Sequence, residues 1–327
     1  NRLMNDLFST ENETALRQTT VIASTDFNVL SFFDGMSCGQ LALQKTGIEV
    51  TNYFACEIDK YASKVAKHNF PNTIELGDVT KVFAKDLPKI DLFIGGSPCQ
   101  GFSFAGKQLN FEDSRSKLFF EFVRMLNEIK ETNPDVLFLL ENVKMKKEFQ
   151  DIITEHLGVE PIEINSNLVS AQNRKRIYWT NIQNVKTPND KGIFIEDIIE
   201  NGSALTDKSQ TIVATIYKEN AKSMIKRNKK GLLVIIDDMY KNRPERIYED
   251  KAPTLRSERN GLKVKNEYEV RKLSVVECER LQNVPDNYTN AVSDTQRYKM
   301  LGNGWTVDVI AHIFSFIEQK CSYENAS

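Results

Sequence analysis

The sequence predicts an α/β protein with a second, smaller β-rich domain. Before residue 183, short apolar runs alternate with amphipathic helical patterns, which is typical of a mostly parallel sheet joined by helices. From residue 183 to residue 268 this alternation stops, and short β-rich pieces separated by charged turns replace it. A final amphipathic helix, with Val307, Ile310 and Ile313 on one face, is expected to pack back onto the first domain.

Composition limits the classes of function. The 43 Lys and Arg residues nearly balance the 45 Asp and Glu residues, so any contact with nucleic acid must be local. The five cysteines never form Cys-x-x-Cys, which favours reduced thiols in an intracellular protein. The three histidines are far apart in the sequence, so we expect no metal site. No apolar run is long enough for a membrane span.

The first predicted strand, residues 28–33, leads into the loop Asp34-Gly35-Met36-Ser37-Cys38-Gly39 and then into a helical pattern. A strand, a glycine-containing loop and a helix form a cradle whose N–H groups face a nucleotide-type ligand. The loop contains neither G-x-G-x-x-G nor G-x-x-x-x-G-K-[ST], which disfavours dinucleotide and P-loop sites. Many strand-to-helix turns carry glycine, so this pattern alone is a weak indication.

Acidic residues follow the next two predicted strands. The strand at residues 52–56 ends at Glu57, about 20 residues after the loop glycine, where a carboxylate can bind a ribose. Asp59, two residues further on, can equally be interpreted as only the N-cap of a helix at residues 60–69. Asp78 ends a third short strand and could accept a hydrogen bond from an adenine amino group, although Gly77-Asp78 is also an ordinary turn.

An apolar run at residues 90–94 predicts a buried strand, followed by Gly95-Gly96-Ser97-Pro98-Cys99. Ligands collect outside the carboxyl ends of such strands, so this loop is suited to present the thiol of Cys99. A lone cysteine is nevertheless more often an inert buried residue than a nucleophile. The polar segment at residues 102–115 is a candidate lid over the site.

A predicted helix at residues 116–130 precedes a strand at residues 136–140, and Glu141 follows that strand. A carboxyl group in this place is a candidate acid, but an exposed strand-end glutamate is about as common. Gln172, Arg174 and Arg176 alternate along an extended segment and therefore share one side. Two guanidinium groups fit phosphate or base-edge contacts, although charge clusters are more commonly solvated surface.

In the second domain we expect β pieces at residues 211–217, 232–236 and 261–264. Residues 218–230 contain six Lys or Arg residues against the single acid Glu219, a local charge that suits a phosphate backbone. Ser274 and Glu277 predict a capping box at the start of a helix. Gly302-Asn303-Gly304 then precedes the final helix.

In this order the pieces resemble the DNA (cytosine-5)-methyltransferases over residues 29–316. The motifs that carry the resemblance are Phe32-Phe33-Asp34-Gly35-Met36-Ser37-Cys38-Gly39, Ser97-Pro98-Cys99-Gln100 with Phe102-Ser103, Glu141-Asn142-Val143, Gln172-x-Arg174-x-Arg176, Arg271-x-Leu273-Ser274-x-x-Glu277-Cys278-x-Arg280-Leu281-Gln282 and Leu301-Gly302-Asn303-Gly304-Trp305-Thr306-Val307. The common bacterial form of the first motif has two adjacent glycines where Ser37 and Cys38 stand. The first and last motifs look closer to the animal de novo enzymes.

The resemblance implies a Rossmann-like S-adenosylmethionine-dependent methyltransferase sheet with a smaller β-rich target-recognition domain. It divides the chain into an amino-terminal arm at residues 1–25, a catalytic domain at residues 26–182 plus 295–321, and a target-recognition domain with its hinge at residues 183–294. The cofactor would be S-adenosylmethionine, with S-adenosylhomocysteine as the product and no metal.

The resemblance also implies site residues. The cofactor would be bound at Phe33, Asp34, Gly35, Met36, Gly39, Glu57, Ile58, Asp78, Val79, Pro98, Asn303 and Gly304. Cys99 would be the nucleophile, and Glu141 would engage cytosine N3. Arg174 and Arg176 would orient Glu141 and the base. The candidate DNA contacts are Gln100, Ser103, Lys107, Arg115, Lys226 and Arg227.

By this resemblance the enzyme methylates C5 of a cytosine flipped out of duplex DNA, through a covalent adduct between Cys99 and C6. A transfer-RNA cytosine methyltransferase with the same motifs is one alternative, and an inactive DNA-binding regulator is another. We expect a monomer that acts on double-stranded DNA, with a restriction endonuclease encoded nearby as a candidate partner. The expected location is the cytoplasm of a bacterial or phage-infected cell, or the nucleus of a eukaryote.

Overall fold

The computed structural model describes residues 20–22, 26–97, 116–236, 255–258, 261–264 and 269–319. The strands are β1 (Thr20–Ile22), β2 (Asn28–Phe32), β3 (Asn52–Cys56), β4 (Ile74–Glu75), β5 (Leu92–Gly96), β6 (Leu137–Val143), β7 (Ile162–Asn165), β8 (Lys175–Thr180), β9 (Ser203–Ala204), β10 (Leu233–Ile236), β11 (Leu255–Glu258), β12 (Gly261–Val264), β13 (Glu269–Lys272) and β14 (Ile317–Gln319). The helices are α1 (Cys38–Thr46), α2 (Lys60–Asn69), α3 (Ser116–Thr132), α4 (Lys147–Leu157), α5 (Ala221–Lys226), α6 (Val275–Leu281), α7 (Asp294–Asn303) and α8 (Val307–Phe314).

Seven strands form the central sheet, in the order β4-β3-β2-β5-β6-β8-β7. The strands from β4 to β6 pair in parallel, and β8 runs antiparallel to both β6 and β7. The chain moves outward from β2 to β3 and β4, and then returns to the other side of β2 to form β5 and β6. Ligands bind outside the carboxyl ends of the strands where the order reverses in this way. The predicted α/β class is confirmed.

The central sheet is buried on both faces. Side chains alternate across a strand, so Val29 and Ile94 belong to one apolar cluster, whereas Leu30 and Phe93 belong to the other. Apolar residues of α1 and α8 join the first cluster, and those of α3 and α4 join the second. Coverage on both faces explains why these strands read as continuous apolar runs in the sequence.

A second, antiparallel sheet has the order β11-β12-β13-β10-β9. Two of the predicted β pieces are present as β10 and β12. The third prediction, a strand at residues 211–217, is wrong, since this segment contains a 3₁₀ turn at Ile216–Lys218 and no strand. The apolar character of the segment reflects burial instead: Ile212 is fully buried, and its backbone groups bind the side chains of Gln172 and Arg174.

Two further features of the fold are a short parallel pair of strands and a helix cap. β1 lies within the predicted arm and pairs in parallel with β14. The predicted capping box at α6 is present, because Ser274 Oγ accepts from the Glu277 N–H at 3.1 Å and Glu277 Oε2 accepts from the Ser274 N–H at 2.7 Å. None of the helices in the described ranges is both long and apolar enough to cross a membrane.

Candidate active site

A cavity of about 590 Å³ opens at the carboxyl ends of β2, β3, β5 and β6. The loop after α7 completes its wall. All of the predicted cofactor residues line this cavity except Gly39, which is packed beneath it, and Pro98, which lies outside the described residues. Glu141, Arg174 and Arg176 line the same cavity. The structure therefore brings the described part of the predicted cofactor and catalytic sets together.

The loop after β2 has an unusual backbone. Phe33, Gly35 and Ser37 have φ values of 59°, 60° and 66°, so left-handed residues alternate along it. Phe33 and Ser37 are not glycine, and a left-handed conformation costs such residues free energy. Strained conformations of this kind cluster at functional sites. The turn directs the Gly35 N–H to Glu57 Oε2, at 2.8 Å. The loop is thus tied to the end of the neighbouring strand β3.

A carboxylate side chain follows each of the strands β3 and β4. Glu57 Oε1 accepts from the N–H groups of Ile58 and Asp59, at 2.8 and 2.7 Å, in addition to the bond from Gly35 to Oε2. Three of its roughly four acceptor positions are occupied, and one is left for a ligand. Asp78 Oδ1 accepts from Thr80, and the Thr80 N–H lowers the pKa of Asp78. Both groups therefore combine a structural bond with spare acceptor capacity.

Asp34 is an acid held away from water. Its Oδ1 accepts a 2.7 Å hydrogen bond from the Tyr53 hydroxyl, while Oδ2 is buried. Burial raises the pKa of Asp34 to about 6, against the opposing effect of nearby hydroxyl groups such as that of Tyr53. Burial and the adjacent Asp34 also raise the pKa of the Tyr53 phenol. The loop after β2 is thus built over a buried acid whose pKa is raised by that burial.

Glu141 lies within β6, which continues to Val143, so the predicted strand end at residue 140 is too early. Its neighbours in the sheet are Gly96 on β5 and Tyr178 on β8. Arg176 Nε lies 2.9 Å from Glu141 Oε1, and Trp305 Nε1 donates to Oε2 at 3.1 Å. Each carboxyl oxygen therefore has its own donor.

Arg174 occupies a different environment from Arg176. It is 4% exposed, and its guanidinium donates to the carbonyl oxygens of Ile212, Gly302 and Gly304 at 2.9 to 3.2 Å. Arg174 precedes β8, and its side chain enters the seam between residue 212 and residues 302–304, whereas Arg176 reaches Glu141 directly. That both arginines orient Glu141 and the base stays a prediction. Burial lowers the pKa of Arg174 to about 10.

The family described as C-5 cytosine-specific DNA methylase matches residues 27–319, which is most of the chain. The chain belongs to this family. The match confirms the predicted family and the predicted enzyme class, a DNA (cytosine-5-)-methyltransferase.

Relatives agree with this assignment. The chain is 35% identical over 313 residues to the Type II methyltransferase M1.ScrFI of Lactococcus lactis subsp. cremoris, covering 87% of this chain and 76% of the relative. It is 30% identical over 325 residues to the Type II methyltransferase M.HhaI of Haemophilus parahaemolyticus, covering 88% and 93%. Both alignments extend over nearly the whole chain.

Solved structures show the same fold. A mutant of Spodoptera frugiperda DNMT2 superposes with a TM-score of 0.62 at 19% identity, covering 89% of this chain and 99% of that one. The Entamoeba histolytica methyltransferase EhMeth gives a TM-score of 0.61 at 15% identity, covering 90% and 98%. At these identities the likeness concerns the fold alone.

Some predicted site residues of this C-5 cytosine-specific DNA methylase cannot be placed. Pro98, Cys99, Gln100, Ser103, Lys107 and Arg115 lie outside the described residues, as does the candidate lid at residues 102–115. The strand end that leads to them is well fixed: Ser97 is buried, and Asn142 Nδ2 donates to its hydroxyl at 3.0 Å. Lys226 and Arg227 are exposed at the end of α5, with Arg227 3.4 Å from Glu219.

Two residues of the site were missed as functional candidates. Asn142 anchors Ser97, and Trp305 contacts Glu141. Both stand inside sequence motifs, but a motif indicates the position of a side chain and not the residue that it contacts. Only the fold brings Trp305 across to Glu141, from 164 positions away in the chain. Within the described ranges, no group of three or more His, Cys, Asp or Glu side chains could hold a metal ion.

Proposed function

We propose that this protein transfers a methyl group to C5 of a cytosine that is flipped out of duplex DNA, through a covalent bond between Cys99 and C6. The observation that carries the proposal is the position of Glu141. Its carboxyl group lines the cavity formed by the cofactor residues, and Arg176 and Trp305 hold its two oxygens. An oriented acid beside a nucleotide-type cavity is what activation of a pyrimidine ring requires.

The cavity residues fit S-adenosylmethionine. Glu57 keeps an acceptor position for a ribose hydroxyl, and Asp78 has a second carboxylate oxygen for an adenine amino group. Ile58 lines the cavity and is 82% exposed, which suits contact with an apolar ring face. An added Cβ at Gly35 would meet nothing within 4 Å, so the backbone there is open to a ligand. When bound, S-adenosylmethionine supplies the electrophilic methyl group that C5 takes.

The protein's own groups make C5 reactive. The Cys99 thiolate adds to C6 and forms a C–S bond, and the electron pair of the C5–C6 double bond moves toward C4 and N3. Glu141 in its acid form gives its proton to N3, so the ring becomes a neutral enamine whose C5 is nucleophilic. After methylation the C5 proton passes to solvent water, its electron pair forms the C5–C6 double bond, and the C–S bond breaks so that Cys99 leaves as the thiolate. The N3 proton then returns to Glu141.

Fixed charge assists the addition. Negative charge develops on N3 and O2 of the ring as the thiolate adds. Arg176, whose guanidinium is already bound to Glu141, adds a permanent positive charge beside that carboxyl group. Removal of water from the site strengthens both effects.

Duplex DNA is the proposed partner. The exposed basic side chains of residues 218–230, among them Lys226 and Arg227, provide local charge for phosphates. The relatives include Type II methyltransferases and also orphan methyltransferases of Bacillus phages rho11s and SPR. We include a cognate restriction endonuclease as a candidate partner on the first of these likenesses.

The test supplies methyl-labelled S-adenosylmethionine together with mixed-sequence duplex DNA or with transfer RNA. We expect label at C5 of DNA cytosine, and no label with Cys99→Ala. Glu141→Gln should slow transfer by about a hundredfold or more while cofactor binding is retained. Label on RNA alone would assign the protein to the transfer-RNA alternative. A folded protein that binds the cofactor but labels neither acceptor would be an inactive regulator.

A further inference from the structure

We propose that Trp305 is a positioning residue for the carboxyl group of Glu141. The inference rests on the proposed function, because it concerns the same reaction. Trp305 comes from the loop between α7 and α8, and its indole Nε1 donates to Glu141 Oε2 at 3.1 Å. Arg176 binds the other oxygen, Oε1, and lies on β8, which pairs with β6 on the side opposite β5. Two donors from separate elements fix the plane of the carboxyl group, since rotation about its last bond would break both contacts.

The contact between Trp305 and Glu141 has space because residue 96 is a glycine. Gly96 is the register partner of Glu141 in the sheet. A Cβ added to Gly96 would lie 2.8 Å from Trp305 Nε1 and 3.1 Å from Glu141 Oε2. Any larger residue would displace the indole from the carboxyl group. The glycine at the end of β5 therefore belongs to the same arrangement as the tryptophan.

The backbone on either side of the indole is also held. The carbonyl of Trp305 accepts from Cys38 Sγ at 3.7 Å, and the carbonyl of Gly304 accepts from Arg174 Nη2 at 2.9 Å. Arg174 thus acts on Glu141 through this loop, whereas Arg176 acts by direct contact. Both arginines of the Gln-x-Arg-x-Arg motif then serve the same carboxyl group by different routes.

An indole is a suitable second donor for an acid that must carry a proton. It donates one hydrogen bond, has no net charge and does not titrate. Trp305 therefore fixes the orientation of Glu141 without placing a second charge beside the carboxyl group.

The first test compares Trp305→Phe with the wild-type enzyme in single-turnover methylation of duplex DNA. The variant keeps the aromatic ring and loses the N–H donor. We expect the transfer rate to fall about tenfold, which corresponds to one hydrogen bond to an ionisable group, with a less than about twofold change in the dissociation constant for S-adenosylmethionine. The matched control is Trp179→Phe, which removes the only other indole donor. That donor is bonded to Thr154 Oγ1 at 3.0 Å, on the opposite face of the sheet from Tyr178, and does not line the cavity.

A second variant reaches the same contact by another route. Gly96→Ala should also slow transfer, and the combination of Gly96→Ala with Trp305→Phe should be no slower than the slower single variant, because both remove one contact. Thermal midpoints and cofactor binding are measured for each variant to exclude misfolding.

The outcomes separate the two proposals. Losses that multiply in the double variant, an unchanged rate for Trp305→Phe, or an effect confined to cofactor affinity would each overturn the role of Trp305 and leave the proposed function intact. A wild-type protein that methylates no DNA overturns the proposed function, and this inference with it.

Discussion

The Tyr53 hydroxyl donates a 2.7 Å hydrogen bond to Oδ1 of Asp34, and Oδ2 of that carboxyl group is buried with no hydrogen-bond partner among the described residues. Ionisation of this carboxyl group is unfavourable, because burial removes the water that would solvate the negative charge and the protein supplies only part of the lost hydrogen bonding. The loop after β2 therefore rests on a group that favours its protonated form more than an ordinary aspartate does.

A pH dependence of stability follows from this pair. Burial raises the pKa of Asp34 to about 6, whereas an unfolded chain has about 3.9. The folded protein binds this proton more tightly, so the stabilisation is complete below about pH 4 and is lost as the pH rises through 6. Relative to Asp34→Asn, the wild-type free energy of unfolding should fall by about 2 kcal/mol between pH 4 and pH 7.

Urea unfolding at several pH values measures this difference. Asp78→Asn supplies a control of opposite sign, because the folded protein lowers the pKa of Asp78. The stabilisation by Asp78 is present at neutral pH and is lost on acidification. A difference between wild type and Asp34→Asn that does not change with pH would contradict the prediction.

The two arginines of the Gln-x-Arg-x-Arg motif should separate stability from catalysis. Arg174 is buried and donates to three carbonyl oxygens, which a lysine ammonium in the same space cannot all reach. We expect Arg174→Lys to lower the free energy of unfolding by about 3 kcal/mol. Arg176→Lys should cost about 1 kcal/mol or less, yet slow methyl transfer about tenfold or more. Denaturant unfolding and single-turnover rates of both variants check the contrast, and equal effects on stability would disprove it.

Gly302 should tolerate no side chain. An added Cβ would overlap the backbone of Val213 and Ala214, which cannot move aside as a flexible side chain could. We expect Gly302→Ala to destabilise the protein by about 3 kcal/mol. Gly158→Ala is the control: Gly158 has φ 71° but open space around it, so only the backbone strain of about 1 kcal/mol remains. Thermal unfolding of the two variants should rank them in this order, and a reversed order would refute the overlap.

Glu57 should control cofactor affinity. Its carboxylate accepts three backbone N–H groups, and an amide NH₂ at either oxygen position would face a donor instead of an acceptor. We expect Glu57→Gln to weaken S-adenosylmethionine binding about tenfold or more, as measured by titration calorimetry. Glu75→Gln, at an exposed acid on β4, should leave the affinity unchanged. Equal affinities for Glu57→Gln and the wild type would contradict the assigned role.

Much of the fold was predictable because the strands of the central sheet are buried on both faces. Short apolar runs and the polar residues that end them predict the carboxyl ends of β2 and β3 to within one residue and that of β5 to within two. Local capping chemistry located α6 through Ser274 and Glu277. The family assignment followed from motif order, and it was confirmed. The domain boundaries and the roles of Cys99 and the DNA-contacting residues stay predictions.

The rest required three-dimensional information. Residues 211–217 have a strand-like composition, but their partners are the side chains of Gln172 and Arg174 and not another strand. Alternation correctly put Arg174 and Arg176 on one side, yet it could not show that one enters a seam and the other reaches Glu141. The contact between Trp305 and Glu141 joins segments that no local pattern relates.

The cofactor cavity draws on both halves of the chain at large separation. The Tyr288 hydroxyl donates to the Met36 carbonyl, and the Cys38 thiol donates to the Trp305 carbonyl, 267 positions further along. During synthesis on the ribosome, the amino-terminal half of this cavity emerges long before the loop that closes it. The cavity therefore lacks one of its walls in a nascent chain until the segment around Trp305 has left the ribosome.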